Sequence, residues 1–216
     1  MNPPPSRRRA TPPSWSTYRQ SIGDRSELFA GIADAWSPAR ALYLGSYLDA
    51  SPSTAIASVI YVDLNRRAAR YFADEERVAA ELKGHLHRIS SPEVRFVHAD
   101  YTKPLPVPEA SFDLVISLYA GPVWGQCDQY FAPRGLFLAN ASHGDASLAA
   151  LDPRLELVAA VHSRDGRFRI DRDQLDSYLI PKKPADADPA LIRSRGRGIA
   201  YTRSAFAYLF RYAPAG

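Results

Sequence analysis

Ala41-Leu42-Tyr43-Leu44-Gly45 and, after a loop-like stretch, Ser58-Val59-Ile60-Tyr61-Val62-Asp63 are short apolar runs. Each ends in a residue that chemistry can use. The first is a short apolar run closed by glycine and the second is rich in β-branched and aromatic residues, so both read as buried strands. Working toward the C-terminus, residues 65–82 carry a helical pattern with Ala68, Ala69, Phe72, Val78, Ala79 and Leu82 on or near one face. Val94-Arg95-Phe96-Val97-His98 alternates as a strand and leads into Asp100. Phe112 to Leu118 and Leu136 to Asn140 are two more apolar runs, with a short helix expected over 126–131 and another over 147–151. Working back toward the N-terminus, Trp15, Tyr18, Ile22, Leu28, Phe29, Ile32 and Trp36 recur at helical spacing. Gly23 divides them into two helices, and Asp24 with Glu27 is placed to open the second as a variant of the capping box.

Strands alternating with helical patterns predict a parallel sheet with helices on both faces. The end of the chain differs. Residues 155–161 and 167–170 are strand-like on either side of Asp165-Gly166, and 199–212 is β-rich and aromatic, so an antiparallel hairpin or strand closes the sheet. A single domain over 15–216 is expected, preceded by a disordered tail over 1–14 with five prolines and the run Arg7-Arg8-Arg9.

Composition narrows the function. Hydrophobic residues make up 46% and charged residues 23% of 216, which is globular composition. One cysteine, Cys127, excludes an internal disulfide framework and a Cys-based zinc finger. No apolar run approaches the roughly 18 residues of a membrane span, and no apolar region follows the tail arginines. The cytoplasm is the expected location. The net charge of +4 permits an anionic partner without requiring one.

Open α/β sheets bind ligands beyond the carboxyl ends of their strands. Gly45-Ser46-Tyr47 follows the first strand, Asp63 ends the second, Asp100-Tyr101 follows the third, Tyr119 the fourth and His143 the fifth. Asp63 lies 18 residues after Gly45, near the ~20 at which a carboxylate takes the two hydroxyls of a ribose. Asp100 is placed to accept a hydrogen bond from an exocyclic amine. An imidazole such as that of His143 can take a proton near neutral pH, although the same segment also reads as a helix cap.

His98-Ala99-Asp100-Tyr101, Leu105-Pro106, Ala110-Ser111-Phe112-Asp113 into Ser117, and Ala132-Pro133-Arg134-Gly135-Leu136 together resemble the class I S-adenosylmethionine-dependent methyltransferases over about Leu42 to Asn140. The resemblance implies a Rossmann-like, seven-stranded, mostly parallel sheet of order 3-2-1-4-5-7-6, and S-adenosylmethionine as cofactor. It implies that Gly45, Ser46 and Tyr47 lie along the methionine part and that Asp63 and Leu64 meet the ribose and its surroundings. Asp100 and Tyr101 would face the adenine, with Ser117 and Tyr119 bordering sulfonium and acceptor. His143 or Tyr119 would act as base. The family's first loop carries an acid and three glycines; here Tyr43 replaces the acid, and Tyr47 and Asp49 stand where the later glycines belong. A small-molecule acceptor is expected, with no metal, no membrane and nucleic acid disfavoured; a homodimer is an assembly the sequence allows. The alternatives are a non-catalytic protein of the same fold, an RNA or protein methyltransferase using the tail and Arg193, Arg195 and Arg197, and a transferase moving another group.

Overall fold

The computed structural model describes residues 13–213. Eight strands form one sheet: β1 Arg40–Leu44, β2 Ser58–Val62, β3 Glu93–Val97, β4 Phe112–Ser117, β5 Phe131–Ala139, β6 Leu155–Arg164, β7 Arg167–Asp171 and β8 Ala207–Tyr212. Their order is β3-β2-β1-β4-β5-β8-β6-β7. The first five are parallel, β8 runs antiparallel to both β5 and β6, and β7 is antiparallel to β6. The expected seven-strand order is thereby corrected. Asp165 and Gly166, both at positive φ, turn the chain so tightly that 167–171 returns as an eighth strand on the far edge.

Among the described residues, six α-helices pack around the sheet: α1 Trp15–Ile22, α2 Ser26–Trp36, α3 Arg66–Phe72, α4 Glu75–Leu82, α5 Asp145–Ala150 and α6 Pro189–Arg195. Alternate strand residues divide between two cores, as the two-residue period requires. Tyr43, Val59, Tyr61 and Leu114 pack with Leu28, Phe29, Phe72 and Val78 from α2, α3 and α4. Leu42, Leu44, Val62 and Val115 pack with Trp124, Leu148 and Ile192 on the other side. The single helix expected over 65–82 is two, because Asp74 starts a new one by accepting the Arg77 N–H. The helix expected over 126–131 is a 3-10 turn at Asp128–Tyr130. Glu27 does not cap α2; its Oε2 accepts the Phe168 N–H of β7 at 3.0 Å. Of the tail expected over 1–14, residues 1–12 lie outside the described ones, whereas Ser14 is buried and caps α1 by accepting the Thr17 N–H at 3.1 Å. Among the described residues, no helix is long and apolar enough to cross a membrane.

The segment between β1 and β2 departs most from an ordinary crossover, which is usually an α-helix. Residues 45–57 contain only a 3-10 turn, Ser51–Thr54. A buried ion pair shapes this segment instead. Asp49, 1% exposed, accepts Arg25 Nη1 at 2.8 Å, the Tyr43 hydroxyl at 3.1 Å and the Ser51 N–H at 3.1 Å, and also the Ser51 hydroxyl. Burial pushes the Tyr43 phenol well up, so it remains a donor. Asp49→Ala would leave the Arg25 guanidinium buried without its counter-charge. A loss of about 3–5 kcal/mol is expected in urea unfolding, and a loss under about 1 kcal/mol would show that the pair does not hold this segment.

Candidate functional site

The five parallel strands end along one edge, and β1 and β4, neighbours in space but not in sequence, mark the switch point. Gly45 opens the loop after β1 with φ 67°. A β-carbon there would lie 2.7 Å from the Ala120 Cβ and 3.4 Å from a Tyr101 ring carbon. Glycine is therefore required because the segment after β4 comes so close, and this face of the loop is covered by Ala120 with Tyr101 beside it. Ser46 is buried and its Oγ has no hydrogen-bond partner. Tyr47, at φ 46°, donates its backbone N–H to Asp63 Oδ2 at 2.7 Å, and its ring meets Tyr18 of α1 edge-on at 4.9 Å.

Asp63 thus ties the β1 and β2 ends together, with Oδ1 accepting the Asn65 N–H at 2.7 Å. Each carboxylate oxygen keeps a second lone pair. Leu64, the next residue, is 56% exposed. Asp100 accepts both the Thr102 N–H and its hydroxyl on Oδ1, at 2.9 and 2.6 Å, and these bonds hold its carboxyl below the usual range. Tyr101 is half-buried; desolvation raises its phenol, opposed by the Gly121 backbone amide. Gly45, Asp63, Leu64, Asp100 and Tyr101 therefore share one end of the rim.

Ser117 and Tyr119 part company. Ser117 is 1% exposed and donates to the buried Asp145 beneath the rim. Tyr119 is 51% exposed, at φ 63°, with the Arg25 guanidinium 5.4 Å from its ring centre and the Phe206 ring at 6.3 Å. A non-glycine residue held in the left-handed region is costly and marks a place to look for function. His143 is exposed. Asn140 links the two candidate bases, since its Oδ1 accepts the Tyr119 N–H at 3.4 Å and the hydroxyl of Ser142, next to His143, at 2.8 Å. The buried Asn140 Nδ2 has no partner. Cys127 is buried, and burial pushes its thiol well up. Trp124 fills the core and donates its indole N–H to Asp152 at 3.0 Å.

Two residues that sequence reasoning does not single out as functional hold the site in shape. Arg25 gives no signal, because its counter-ion lies 24 positions away. Asp145 reads in the sequence as one of several polar residues after the fifth strand and as a candidate helix cap. It begins α5 at 2% exposure and accepts the Val123 and Trp124 amides, both at 2.8 Å, as well as Ser117. It thereby clamps the segment after β4 against β5.

For S-adenosylmethionine, the adenosine end of the rim fits. Two carboxylates, an exposed Leu64 and a tyrosine ring are the kinds of acceptor and apolar surface that a ribose and an adenine use. The amino-acid end is closer-packed than a glycine cradle, and the donors left over there are the unpartnered Ser46 Oγ and Arg25 Nε. A groove of about 720 Å³ between α4 and the start of β3 opens at the opposite edge of the sheet.

No protein-family profile and no curated protein matches the chain. Among solved structures it is similar to a methyltransferase from Geobacter sulfurreducens, at 10% identity over 93% of this chain and 87% of that one, with a TM-score of 0.48. It is similar also to an O-methyltransferase from Bacillus cereus in complex with SAH, at 11% identity over 88% and 80%, TM-score 0.46. A third is the tRNA (m1A58) methyltransferase from Aquifex aeolicus, at 16% identity over 97% and 74%, TM-score 0.45. These similar structures are methyltransferases. The chain covers only 59% of a Methanococcus maripaludis protein described as an S-adenosyl-L-methionine-dependent methyltransferase, at 12% identity over 57% of this chain and a TM-score of 0.43. At such low identity and loose superposition, strand order and pairing remain the ground for the Rossmann-like fold.

Asp145 yields a pH prediction. Burial raises its carboxyl to about 6, against the lowering pull of Ser117 and the two amides. A folded value above the unfolded one means that its contribution to stability is full below about pH 4 and lost as the pH climbs through about 6. Wild type should therefore lose on the order of 2–3 kcal/mol relative to Asp145→Asn between pH 4 and pH 7 in urea titrations. Parallel profiles would show that Asp145 carries no such shift.

Proposed function

We propose that the protein is an S-adenosylmethionine-dependent methyltransferase. The observation that carries this reading is the placement of Asp63 and Asp100 at the carboxyl ends of adjacent strands, on the rim that includes Gly45, at the switch point of a sheet ordered 3-2-1-4-5 through its parallel half. Asp63 accepts the ribose hydroxyls on its remaining lone pairs. Leu64 and Tyr101 contact the adenine, whose amine donates to Asp100. Ser46 Oγ is the nearest unpartnered donor for the amino-acid end. When bound, the cofactor supplies an electrophilic methyl group at a sulfonium.

The chain's part is then largely positioning. Tyr119 presents its exposed phenol on the acceptor side of the rim, with its backbone fixed by Asn140. His143, beyond the same asparagine, is the second group able to receive a proton from an acceptor hydroxyl or amine. Ser117 supports from below by donating to Asp145. A small molecule entering beside Tyr119 is the acceptor the sequence favours. The cytoplasm is the compartment in keeping with this reading.

A second reading is favoured by the Ala120 contact over Gly45: a non-catalytic protein that retains the nucleoside end and has lost the amino-acid end. Calorimetry with S-adenosylhomocysteine and with adenosine separates the two, because the enzyme reading expects the amino-acid part to tighten binding and the second reading expects the two ligands to bind alike. S-adenosylhomocysteine is expected to bind wild type, and Asp63→Ala to weaken it at least about tenfold, the loss of a hydrogen bond to a charged group at about 1.5 kcal/mol. Asp63→Asn, which keeps an acceptor for the Tyr47 amide, controls for loss of loop shape and should also weaken binding. Wild type giving no heat at millimolar ligand would refute the enzyme reading, and folded variants with unchanged affinity would remove Asp63 from the site.

A further inference from the structure

Among the described residues, the buried side-chain atoms without a hydrogen-bond partner are Arg25 Nε, Ser26 Oγ, Ser46 Oγ and Asn140 Nδ2. A buried polar group left unpaired costs stability, so each calls for a reason. Three of them border the segment after β4. The Arg25 guanidinium lies 5.4 Å from the Tyr119 ring centre. Asn140 Oδ1 accepts the Tyr119 N–H and the Ser142 hydroxyl, which fixes the amide and leaves Nδ2 as the free donor. Gly45, next to Ser46, stands against Ala120.

Arg25 defines the ligand. Its hydrogen bonds among the described residues, to Asp49 at 2.8 Å and to the Tyr43 hydroxyl at 3.3 Å, both use Nη1. Another edge of the guanidinium carries the Nε–H and one Nη2–H in parallel, the planar fork that takes both oxygens of a carboxylate. Nε on that edge is buried and unpaired. Asp49 does not exhaust the arginine's charge. It also accepts the Tyr43 hydroxyl and the Ser51 N–H and hydroxyl, so Arg25 is one of several groups that neutralise it.

The surroundings indicate what the carboxylate is attached to. The Arg25 guanidinium is also 5.9 Å from the Phe206 ring centre, and the Tyr119 and Phe206 rings are 6.3 Å apart at 60°. Arg25 is 4% exposed, so it lies beneath two rings that both keep some exposure. Phe206 immediately precedes β8, two places beyond β4 in the sheet, whereas Asp63 and Asp100 follow β2 and β3 on the other side of β1. The fork therefore belongs to the acceptor side of the rim. A flat apolar body with one carboxylate matches two rings above and a fork beneath. A neutral acceptor would leave the fork unpaired.

We propose that Arg25 is a specificity-determining residue whose Nε–Nη2 edge binds the carboxylate of an aromatic carboxylic acid, the acceptor, entering between Tyr119 and Phe206. Tyr119, half exposed and held at φ 63°, is the cover that turns aside to admit it. The carboxylate site stands by itself; its role as the acceptor site rests on the methyltransferase reading.

The test uses benzoate as probe and benzamide, an uncharged analogue of the same shape, as control, with arginine Nε–H signals followed by NMR in isotopically labelled protein. Benzoate should shift one slowly exchanging Nε–H signal and saturate at millimolar concentration, and benzamide should bind at least about tenfold more weakly. Arg25→Lys keeps a charge opposite Asp49 and removes the fork. It should abolish that signal and weaken benzoate at least about tenfold, with circular dichroism confirming the fold. Where Arg25→Lys does not fold, Tyr119→Ala, altered at an exposed position, takes its place: with the cover gone, benzoate should bind at least as tightly as to wild type and keep its preference over benzamide. Benzoate and benzamide binding alike, or benzoate failing to bind wild type and Tyr119→Ala, overturns the proposal. Calorimetry with S-adenosylhomocysteine reads the cofactor separately, and the two ligands should bind together. Competition between them, with Arg25→Lys weakening both, would give the fork to the cofactor's own carboxylate and overturn the acceptor assignment. Benzoate binding to a protein that gives no heat with S-adenosylhomocysteine would uphold the carboxylate site and remove the enzyme reading alone.

Discussion

The buried Arg25–Asp49 pair does for this protein what a glycine loop and helix do in an ordinary doubly wound sheet. Asp49 is saturated by Arg25, Tyr43 and Ser51, all of them buried. Together they fold residues 45–57 into a compact turn without an α-helix. The same pair fixes α2, because Arg25 stands immediately before it, and through α2 it fixes β7, which packs against that helix. A charge pair in such a position adds little as stabilisation alone, since desolvation consumes most of the Coulombic gain. Its effect is to specify one path for the chain. That path sets Gly45 against Ala120 and brings the Tyr47 amide to Asp63.

Much of this was legible in the residues. The five parallel strands announce themselves as apolar runs, and their carboxyl ends name Asp63 and Asp100 because a strand's end is where a carboxylate has no ladder to join. The hairpin was visible in Asp165-Gly166, a pair that accepts positive φ at both positions. What could not be read was anything fixed by partners distant in sequence. Glu27 looks like a cap three residues beyond Asp24, yet it reaches Phe168 across 141 positions. Ser117, at the end of β4, carries no mark in the sequence that it turns down toward Asp145 rather than up toward a ligand. Tyr43 in place of an acid reads locally as a loss. In the structure it belongs to the polar cluster that replaces the glycine loop.

The rim is electrostatically asymmetric, and strand order explains how both halves coexist. Asp63 and Asp100 follow β2 and β3 at one end, and Arg164 and Arg167 flank the β6–β7 turn at the other. Six strand steps separate β2 from β7. At about 4.8 Å per step that is roughly 29 Å, well over three times the Debye length of about 8 Å at physiological salt. At that distance the carboxylates and the arginines are screened from one another at physiological salt. Tyr119 follows β4, two steps from β2 and four from β7. The antiparallel strands beyond β5 lengthen the sheet edge, and that length keeps the carboxylates after β2 and β3 apart from the arginines that flank the β6–β7 turn.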